Sequence, residues 1–213
     1  MSKKLKHIDY LIERYPQLSV CREDIVSAYG ILVKSFRNGG KLLIAGNGGS
    51  AADAMHIVGE LMKSFVLPRH LPLTVINKIN MGSENAKYLI DNLQMPLPAI
   101  ALVNESAFMT AYNNDVTADL VFAQQVLGYG RLEDVFWGIS TSGNSRNIIY
   151  AMETASVIGI RCIGLTGSRG DRLAEKCDVC IKVPEVDTFK IQELHLPIYH
   201  ALCMELEHCF FAD

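Results

Sequence analysis

Long apolar runs are missing from this sequence. None of its 213 residues belongs to a stretch of roughly 18 consecutive apolar residues, the length that a transmembrane helix needs. An excess of basic charge is missing too, since 20 Lys and Arg stand against 23 Asp and Glu. Nucleic acids and anionic membranes usually select clustered Lys and Arg, so we expect neither as a partner. Asp9, Glu13 and Arg14 interrupt any apolar signal-peptide core near the start, and a cytoplasmic location is therefore expected.

The paired cysteine motifs of a zinc domain are also absent. The six cysteines are scattered through apolar segments, and only Cys177 and Cys180 form a CxxC, with no second CxxC to complete a site. These two residues lie in KCDVCIKV, whose alternation is typical of the start of a strand. We interpret the cysteines as reduced, mostly buried structural residues, with metal or redox use as the alternative.

Short apolar segments alternate with helical patterns along the chain, and 49% of the residues are hydrophobic. This alternation is typical of a parallel sheet covered on both faces, so we predict one α/β domain over 1–213 with a doubly wound, five-stranded parallel sheet. The predicted strands are 41–45, 99–103, 134–140, 162–165 and 179–183. The predicted helices are two within 4–38, broken near Pro16, then 50–65, 84–93, 105–112, 118–127, 145–158, 171–175 and a long C-terminal helix over 188–210.

Two polar turns follow predicted strands, and we expect them at the same edge of the sheet because ligands of parallel sheets bind at the strands' carboxyl ends. The first, GNGGS, carries flexible glycines and the Ser50 hydroxyl at a helix N-terminus, which together suit a phosphate. The second, STSGNS at 140–145, offers four hydroxyls before another helix. A plain helix cap is the alternative for the second turn. A loose dinucleotide-binding pattern is the alternative for the first, but the acidic residue that should follow it is not evident.

Helical spacing adds candidate acid/base or metal-binding residues. His56 and Glu60 are four residues apart, so they lie only about 40° apart around a helix and face one cavity. On the last helix, Gln192 and His200 are eight residues apart, or about 80°. Helical geometry leaves Glu193 and His195 open as alternatives on that helix.

These motifs occur together and in order: GNGGS followed by DAMH and Glu60, then ISTSGNS, then LTG, then Thr188 with IQE and His200. In this combination the chain closely resembles the phosphoheptose isomerase group of the sugar-isomerase (SIS) domain family. The resemblance covers nearly the whole chain, and it implies a flavodoxin-like α/β fold with extra N-terminal helices. It also implies a homotetramer, with residues 1–38 used for oligomer packing. In such an assembly each site contains residues from more than one subunit. The last helix would come from another subunit to meet the helix that follows GNGGS.

The resemblance implies aldose-ketose isomerisation of a phosphorylated sugar, most like sedoheptulose 7-phosphate, through an enediol. Glu60 and His200 would be the acid/base pair. The implied phosphate-binding residues are Ser50, Ser140, Thr141, Ser142 and Ser145. The implied substrate-binding residues are Asn47, Gly48, Gly49, Asn114, Asp115 and Gln192. Zinc is a possible cofactor, with His56, Glu60, Gln192 and His200 as ligands, and two imidazoles, a carboxylate and an amide oxygen do suit such a metal.

Two features depart from the family pattern. The segment 66–98 is longer than in typical heptose isomerases by on the order of 20 residues, and we expect an inserted, lid-like segment there. Phe189 and Lys190 precede IQE where many relatives have a small or acidic residue and an arginine; Phe189 would be either core packing or a wall of the substrate site. The alternative function is a non-catalytic regulator that binds a phosphosugar or a protein, but the presence of both Glu60 and His200 favours an enzyme.

Overall fold

A single five-stranded sheet organises the structure, a computed structural model that describes residues 5–212. Its strands are β1 (Leu42–Ala45), β2 (Ala99–Ala101), β3 (Val135–Ile139), β4 (Arg161–Thr166) and β5 (Val179–Lys182). All four pairings are parallel and the spatial order is β2-β1-β3-β4-β5, the order of flavodoxin-like folds. The prediction of a doubly wound, five-stranded parallel sheet is confirmed. Residues 1–4 and 213, the ends of the predicted domain 1–213, lie outside the described residues.

The described residues form ten α-helices and two 3₁₀ turns, at Pro16–Cys21 and Ala118–Leu120. Before β2 come α1 (Lys6–Arg14), α2 (Arg22–Arg37), α3 (Gly49–Met62), α4 (Leu73–Gly82) and α5 (Ala86–Asn92). After β2 come α6 (Ser106–Asp115), α7 (Val121–Tyr129), α8 (Arg146–Val157), α9 (Asp171–Ala174) and α10 (Thr188–Phe211). Among these residues no helix combines the length and apolar character that a membrane crossing requires.

The core is divided between the two faces of the sheet. Successive strand residues point to opposite faces, so Leu42 and Ile44 of β1 pack under α1, α2, α3 and α10, whereas Leu43 and Ala45 pack under α7 and α8. All four of these residues are fully buried. The near-continuous apolar strands that suggested a sheet covered on both sides are explained by this arrangement.

The segment 66–98 differs most from its prediction. The helix expected over 84–93 is confirmed as α5, but α4 was not predicted. Neither helix has a buried residue, and they pack mainly against each other, so no apolar stripe facing the core marked α4 in the sequence. The helix expected over 50–65 ends at Met62 instead, because the amides of Phe65, Val66 and Leu67 donate to the Glu207 carboxylate.

The cysteines fit the structural interpretation in part. All six are free thiols; Cys21, Cys162 and Cys203 are buried, and the other three are partly exposed. Burial raises the pKa of Cys21 to about 11 and that of Cys162 to about 12, which keeps both thiols protonated and unreactive.

Candidate active site

A cavity of about 330 Å³ opens where β1 and β3 end side by side. It lies at the point where the strand order reverses, the usual ligand position in such sheets. Its walls come from both predicted turns and from the start of α10, and they comprise Asn47, Gly48, Gly49, Ser50, Ile139, Ser140, Thr141, Ser145, Thr188 and Gln192. The sheet topology thus brings together two polar turns that are about 90 residues apart in the sequence.

Each turn depends on a glycine in the left-handed region. Gly48 has φ of 55° and Gly143 has φ of 65°, values that other residues rarely adopt. Within the second turn, Ser140 Oγ donates a hydrogen bond to Ser145 Oγ at 3.0 Å. The two turns are joined by a reciprocal amide pair between Asn47 and Asn147, with N···O distances of 2.9 and 3.0 Å.

Three helices begin at this cavity. Gly49 starts α3, Arg146 follows the lining residue Ser145 and starts α8, and Thr188 starts α10. Each helix N-terminus carries unpaired amide donors and roughly half a positive charge from its dipole. The lining residues found within 5–212 include no Lys or Arg, so an anion here would be held by helix dipoles, amides and hydroxyls.

A second polar group lies further along α3 and α10, which run side by side. His56 Nε2 is 3.3 Å from Glu60 Oε1, and the ring of His56 is 4.9 Å from that of His200 between centroids. Lys63 Nζ donates to Glu60 Oε2 at 3.1 Å. The expectation that the last helix must come from another subunit to meet the first is therefore wrong, because α10 of the same chain packs along α3 on one face of the sheet.

The surroundings of His200 favour its neutral form. Burial and the neighbouring His56 lower the pKa of His200 below its ordinary value, although the charge of Glu60 opposes this. Its Nε2 atom is buried and has no hydrogen-bond partner among the described residues. A neutral imidazole beside a carboxylate can accept a proton, share one, or ligate a metal ion.

The predicted zinc set is only partly assembled. His56, Glu60 and His200 are neighbours, and the unpartnered His200 Nε2 is the kind of atom that a metal would satisfy. Gln192, in contrast, packs its amide against Gly49 in the cavity, about 12 Å along α10 from His200. Within residues 5–212, no three His, Cys, Asp or Glu side chains are arranged to hold a metal ion.

Most of the predicted phosphate and substrate residues line the cavity; Ser142, Asn114 and Asp115 do not. Ser142 is exposed, and its hydroxyl accepts a hydrogen bond from the amide of Asn144 within the turn. Asn114 and Asp115 lie in the last turn of α6, not in the predicted loop, where the Asn114 side chain donates to Asp115 Oδ1 at 2.9 Å.

The structure also decides between the candidates on α10. His195 is completely buried, and burial lowers its pKa to about 4, so it belongs to the core. Glu193 is exposed, whereas Gln192 and His200 face α3. Phe189 is 61% exposed, so its interpretation as core packing is wrong.

Four residues near the two polar groups were not predicted as site residues, although Thr188 and Asp53 belong to the motifs that carry the resemblance. Thr188 lines the cavity, and Asn147 joins the turns. Tyr199 contacts His56 through its hydroxyl, and Asp53 contacts Tyr199. Asp53 lies three residues before His56, one helical turn away, and this spacing was the one signal that could have identified it.

Comparison with known proteins agrees with this geometry. The SIS domain family model matches residues 83–167. The phosphoheptose isomerase of Rhodospirillum rubrum is 39% identical over 187 residues, which are 88% of this chain and 86% of that protein. The solved phosphoheptose isomerase of Neisseria gonorrhoeae superposes with a TM-score of 0.73 at 33% identity, covering 94% of this chain and 95% of that one. The corresponding structure from Francisella tularensis gives 0.74 at 30% identity, with 94% of each chain covered. Identity at this level over nearly the whole chain shows that the protein belongs to the phosphoheptose isomerase family of SIS-domain isomerases.

Proposed function

We propose that the protein interconverts an aldose phosphate and a ketose phosphate, with sedoheptulose 7-phosphate as the ketose. One observation carries the proposal: three helix N-termini meet at one end of the α3–α10 pair, and the Glu60–His200 group lies further along the same two helices. The first feature suits a phosphate and the second suits proton transfer.

The separation of the two features favours a long substrate. Glu60 follows Ser50 by ten residues, or about 15 Å of helix, and His200 follows Gln192 by eight residues, or about 12 Å. A sugar phosphate of six or seven carbons in its open form spans such a distance better than a triose phosphate does. The phosphate would be held by Ser50, Ser140, Thr141 and Ser145, and the amide of Gln192 would meet the sugar hydroxyls.

The chemistry is a transfer of one proton between adjacent carbons. The Glu60 carboxylate takes a proton from one of them, an enediol forms, and the proton returns to the other carbon. Neutral His200 moves the accompanying proton between the two oxygens, and Lys63 beside Glu60 adds positive charge near the developing enediolate. The helix N-termini hold the phosphate, so the reacting carbons are positioned at Glu60.

We propose zinc as the cofactor, with the neighbouring His56, Glu60 and His200 as its ligands; Gln192, the fourth residue of the predicted set, lies about 12 Å away along α10. The donor types and the unpartnered His200 Nε2 support this assignment. When bound, the metal would polarise the substrate oxygens as a Lewis acid.

We further propose a homotetramer in the cytoplasm, with the α4–α5 hairpin as a lid or a subunit contact. The support is the apolar surface that a single chain leaves in water: Leu73, Met81 and Tyr88 of the hairpin are 75%, 85% and 71% exposed. Light scattering of the purified protein tests the assembly; a monomer at all concentrations would contradict it.

Turnover in heavy water tests the function. We expect purified protein, with and without zinc, to convert sedoheptulose 7-phosphate and to place solvent deuterium on the carbon beside the carbonyl, because the proton held by Glu60 can exchange with solvent while the enediol exists. Glu60→Gln should lose about 10²- to 10⁴-fold in kcat while it still binds the phosphosugar. Ser140→Ala should weaken binding of the phosphorylated sugar more than that of the free sugar. Absence of turnover with every phosphosugar tried, together with unchanged binding in Glu60→Gln, would favour a regulator instead.

A further inference from the structure

The sulfur atoms of the CxxC pair, Cys177 and Cys180, lie together against strand β4. Cys180 is in β5, where it pairs in register with Gly164 of β4, and Cys177 lies three residues earlier, between α9 and β5. A Cβ added at Gly164 would lie 3.0 Å from Cys177 Sγ and also 3.0 Å from Cys180 Sγ. Because Gly164 has no side chain, the two sulfur atoms share the space that a side chain would fill.

The two thiols differ in how easily they lose a proton. Hydrogen bonding to Cys180 has the largest effect on Cys177 and lowers the pKa of its thiol, although burial and the charge of Asp178 oppose this. The same contact, together with burial, raises the pKa of the Cys180 thiol. Cys177 is therefore the residue that more readily becomes a thiolate, the form that attacks an oxidant, and Cys180 is the thiol beside it.

Solvent can reach this pair, in contrast to most of the other cysteines. Cys177 and Cys180 are both partly exposed, so a small oxidant in water has access to them. Three of the remaining four cysteines are buried: Cys21, Cys162 and Cys203. Cys209 is partly exposed as well, but it lies near the end of α10, where its Sγ accepts a hydrogen bond from Arg37 at 3.6 Å.

We propose that Cys177 and Cys180 form a reversible oxidation site, at which a hydroperoxide converts the two thiols into a disulfide. In the reduced protein Cys177 donates a weak hydrogen bond to the Leu173 carbonyl at 3.3 Å, and the disulfide replaces this contact. Neither cysteine lines the cavity between the two polar turns, so the proposal does not depend on the isomerase assignment.

The reaction has two steps. The Cys177 sulfur attacks one peroxide oxygen; an S–O bond forms, the O–O bond breaks, and the Cys177 proton leaves with the other oxygen as water or an alcohol. The Cys180 sulfur then attacks the Cys177 sulfur; the S–S bond forms, the S–O bond breaks, and the Cys180 proton leaves with the hydroxyl group as water. The two thiols together lose two electrons, and the peroxide gains them. A dithiol such as dithiothreitol restores the thiols by exchange.

Tryptic mapping of the full chain provides the first test. The reduced protein is treated with hydrogen peroxide, its free thiols are alkylated, and trypsin then cleaves after Lys176 and Lys182. Both cysteines fall in the single peptide CDVCIK, whereas Cys162 falls in another. We expect CDVCIK to lose two hydrogen atoms and both alkylation sites, and to regain them after dithiothreitol. A CDVCIK peptide without an internal disulfide, or one linked to the Cys162 peptide, would overturn the proposal.

Single variants test the order of the two steps. Cys180→Ser removes the second thiol, so the sulfenic acid on Cys177 should persist and react with dimedone. Cys177→Ser should give about tenfold less dimedone adduct at Cys180, whose thiol is the less acidic one. Cys209→Ser is the matched control and should form the disulfide to the same extent as the wild type. Equal adducts in the first two variants would overturn the order of attack, and loss of the disulfide in Cys209→Ser would overturn the pairing.

Discussion

Breaking the ion pair between Arg69 and Glu207 should destabilise the protein and disturb the end of α3 that carries Glu60. Both side chains are completely buried, and Arg69 Nε donates to Glu207 Oε1 at 2.8 Å. Arg69 also donates to the carbonyl oxygens of Glu60 and Leu61, which lie in the last turn of α3 and have no helical partner. Glu207 accepts from the amides of Phe65, Val66 and Leu67.

The expected magnitude follows from this burial. Removing one partner of a buried pair leaves the other charge uncompensated and typically costs about 3–5 kcal/mol. For a chain of this size, each kcal/mol shifts Tm by about 2–4 °C, so Glu207→Gln should melt roughly 6–20 °C below the wild type at pH 7. Lys176→Met, which breaks a half-exposed pair with Glu153, is the control and should change stability by less than about 1 kcal/mol.

The pH dependence gives an independent check. Burial alone would raise the pKa of Glu207, but the amides of Phe65 and Val66 and the guanidinium of Arg69 together hold it below its ordinary value of 4.5. A carboxyl whose pKa is depressed by folding adds stability above that value and loses it as the pH falls through the folded-state pKa. The free-energy gap between wild type and Glu207→Gln, from urea unfolding, should therefore shrink below about pH 4.5.

Two results would refute this reasoning. The first is a cost of less than about 1 kcal/mol for Glu207→Gln, which would make the pair no more important than one on the surface. The second is a gap that widens as the pH falls. The double variant Arg69→Met/Glu207→Gln completes the cycle, and we expect it to be less destabilised than the sum of the two single variants, because they share one interaction.

We expect a second pH effect from His195, because burial lowers its pKa from 6.5 to about 4. Between these two values the unfolded chain binds a proton at this residue and the folded chain does not. The wild type should lose about 2 kcal/mol of unfolding free energy between pH 7 and pH 5 from this group, and His195→Leu should lack that part of the slope in urea titrations. Gly49→Ala should raise KM for the phosphosugar by about tenfold, or ~1.4 kcal/mol, because the new Cβ would overlap the Gln192 amide. In the control Gly59→Ala, the added Cβ has no atom within 4 Å, so KM should not change. Equal KM values in the two variants would contradict the steric argument.

The sheet and most of the residues that line the cavity could be predicted because local sequence determines them. Apolar strands of three to six residues, glycines that permit positive φ, and hydroxyls before a helix are all visible in the chain, and they placed Ser50, Ser140, Thr141 and Ser145 correctly at one edge. Helix α4 was not predicted; like α5 it has no buried residue, so no apolar stripe facing the core marked it in the sequence.

Residues that act through another element could not be predicted in the same way. Tyr199 is adjacent to His200 in the sequence, but its contact with His56 depends on the angle at which α10 meets α3. No local sequence pattern determines that angle. In the sequence, Arg69 is one basic residue in a proline-containing segment, and nothing there indicates burial. In the structure it is buried and donates a hydrogen bond to the backbone carbonyl of Glu60. The contacts of Tyr199 with His56 and of Arg69 with Glu207 each join segments that are more than 100 residues apart in the sequence. They depend on how the helices pack, and no local pattern shows them.

The α4–α5 hairpin is joined to the rest of the chain beside the same ion pair. The Arg69 carbonyl accepts a hydrogen bond from the Met95 amide, and the Leu61 carbonyl accepts one from the Leu97 amide, so the chain is already joined at the base of the hairpin. Everything between residues 69 and 95 lies beyond this junction, and lengthening a loop whose ends are fixed costs little, about 0.6 kcal/mol for each doubling. The Glu60 carbonyl is held by Arg69 on the near side of the junction. A change in the length or sequence of this hairpin can therefore leave the position of the Glu60 carboxylate unchanged.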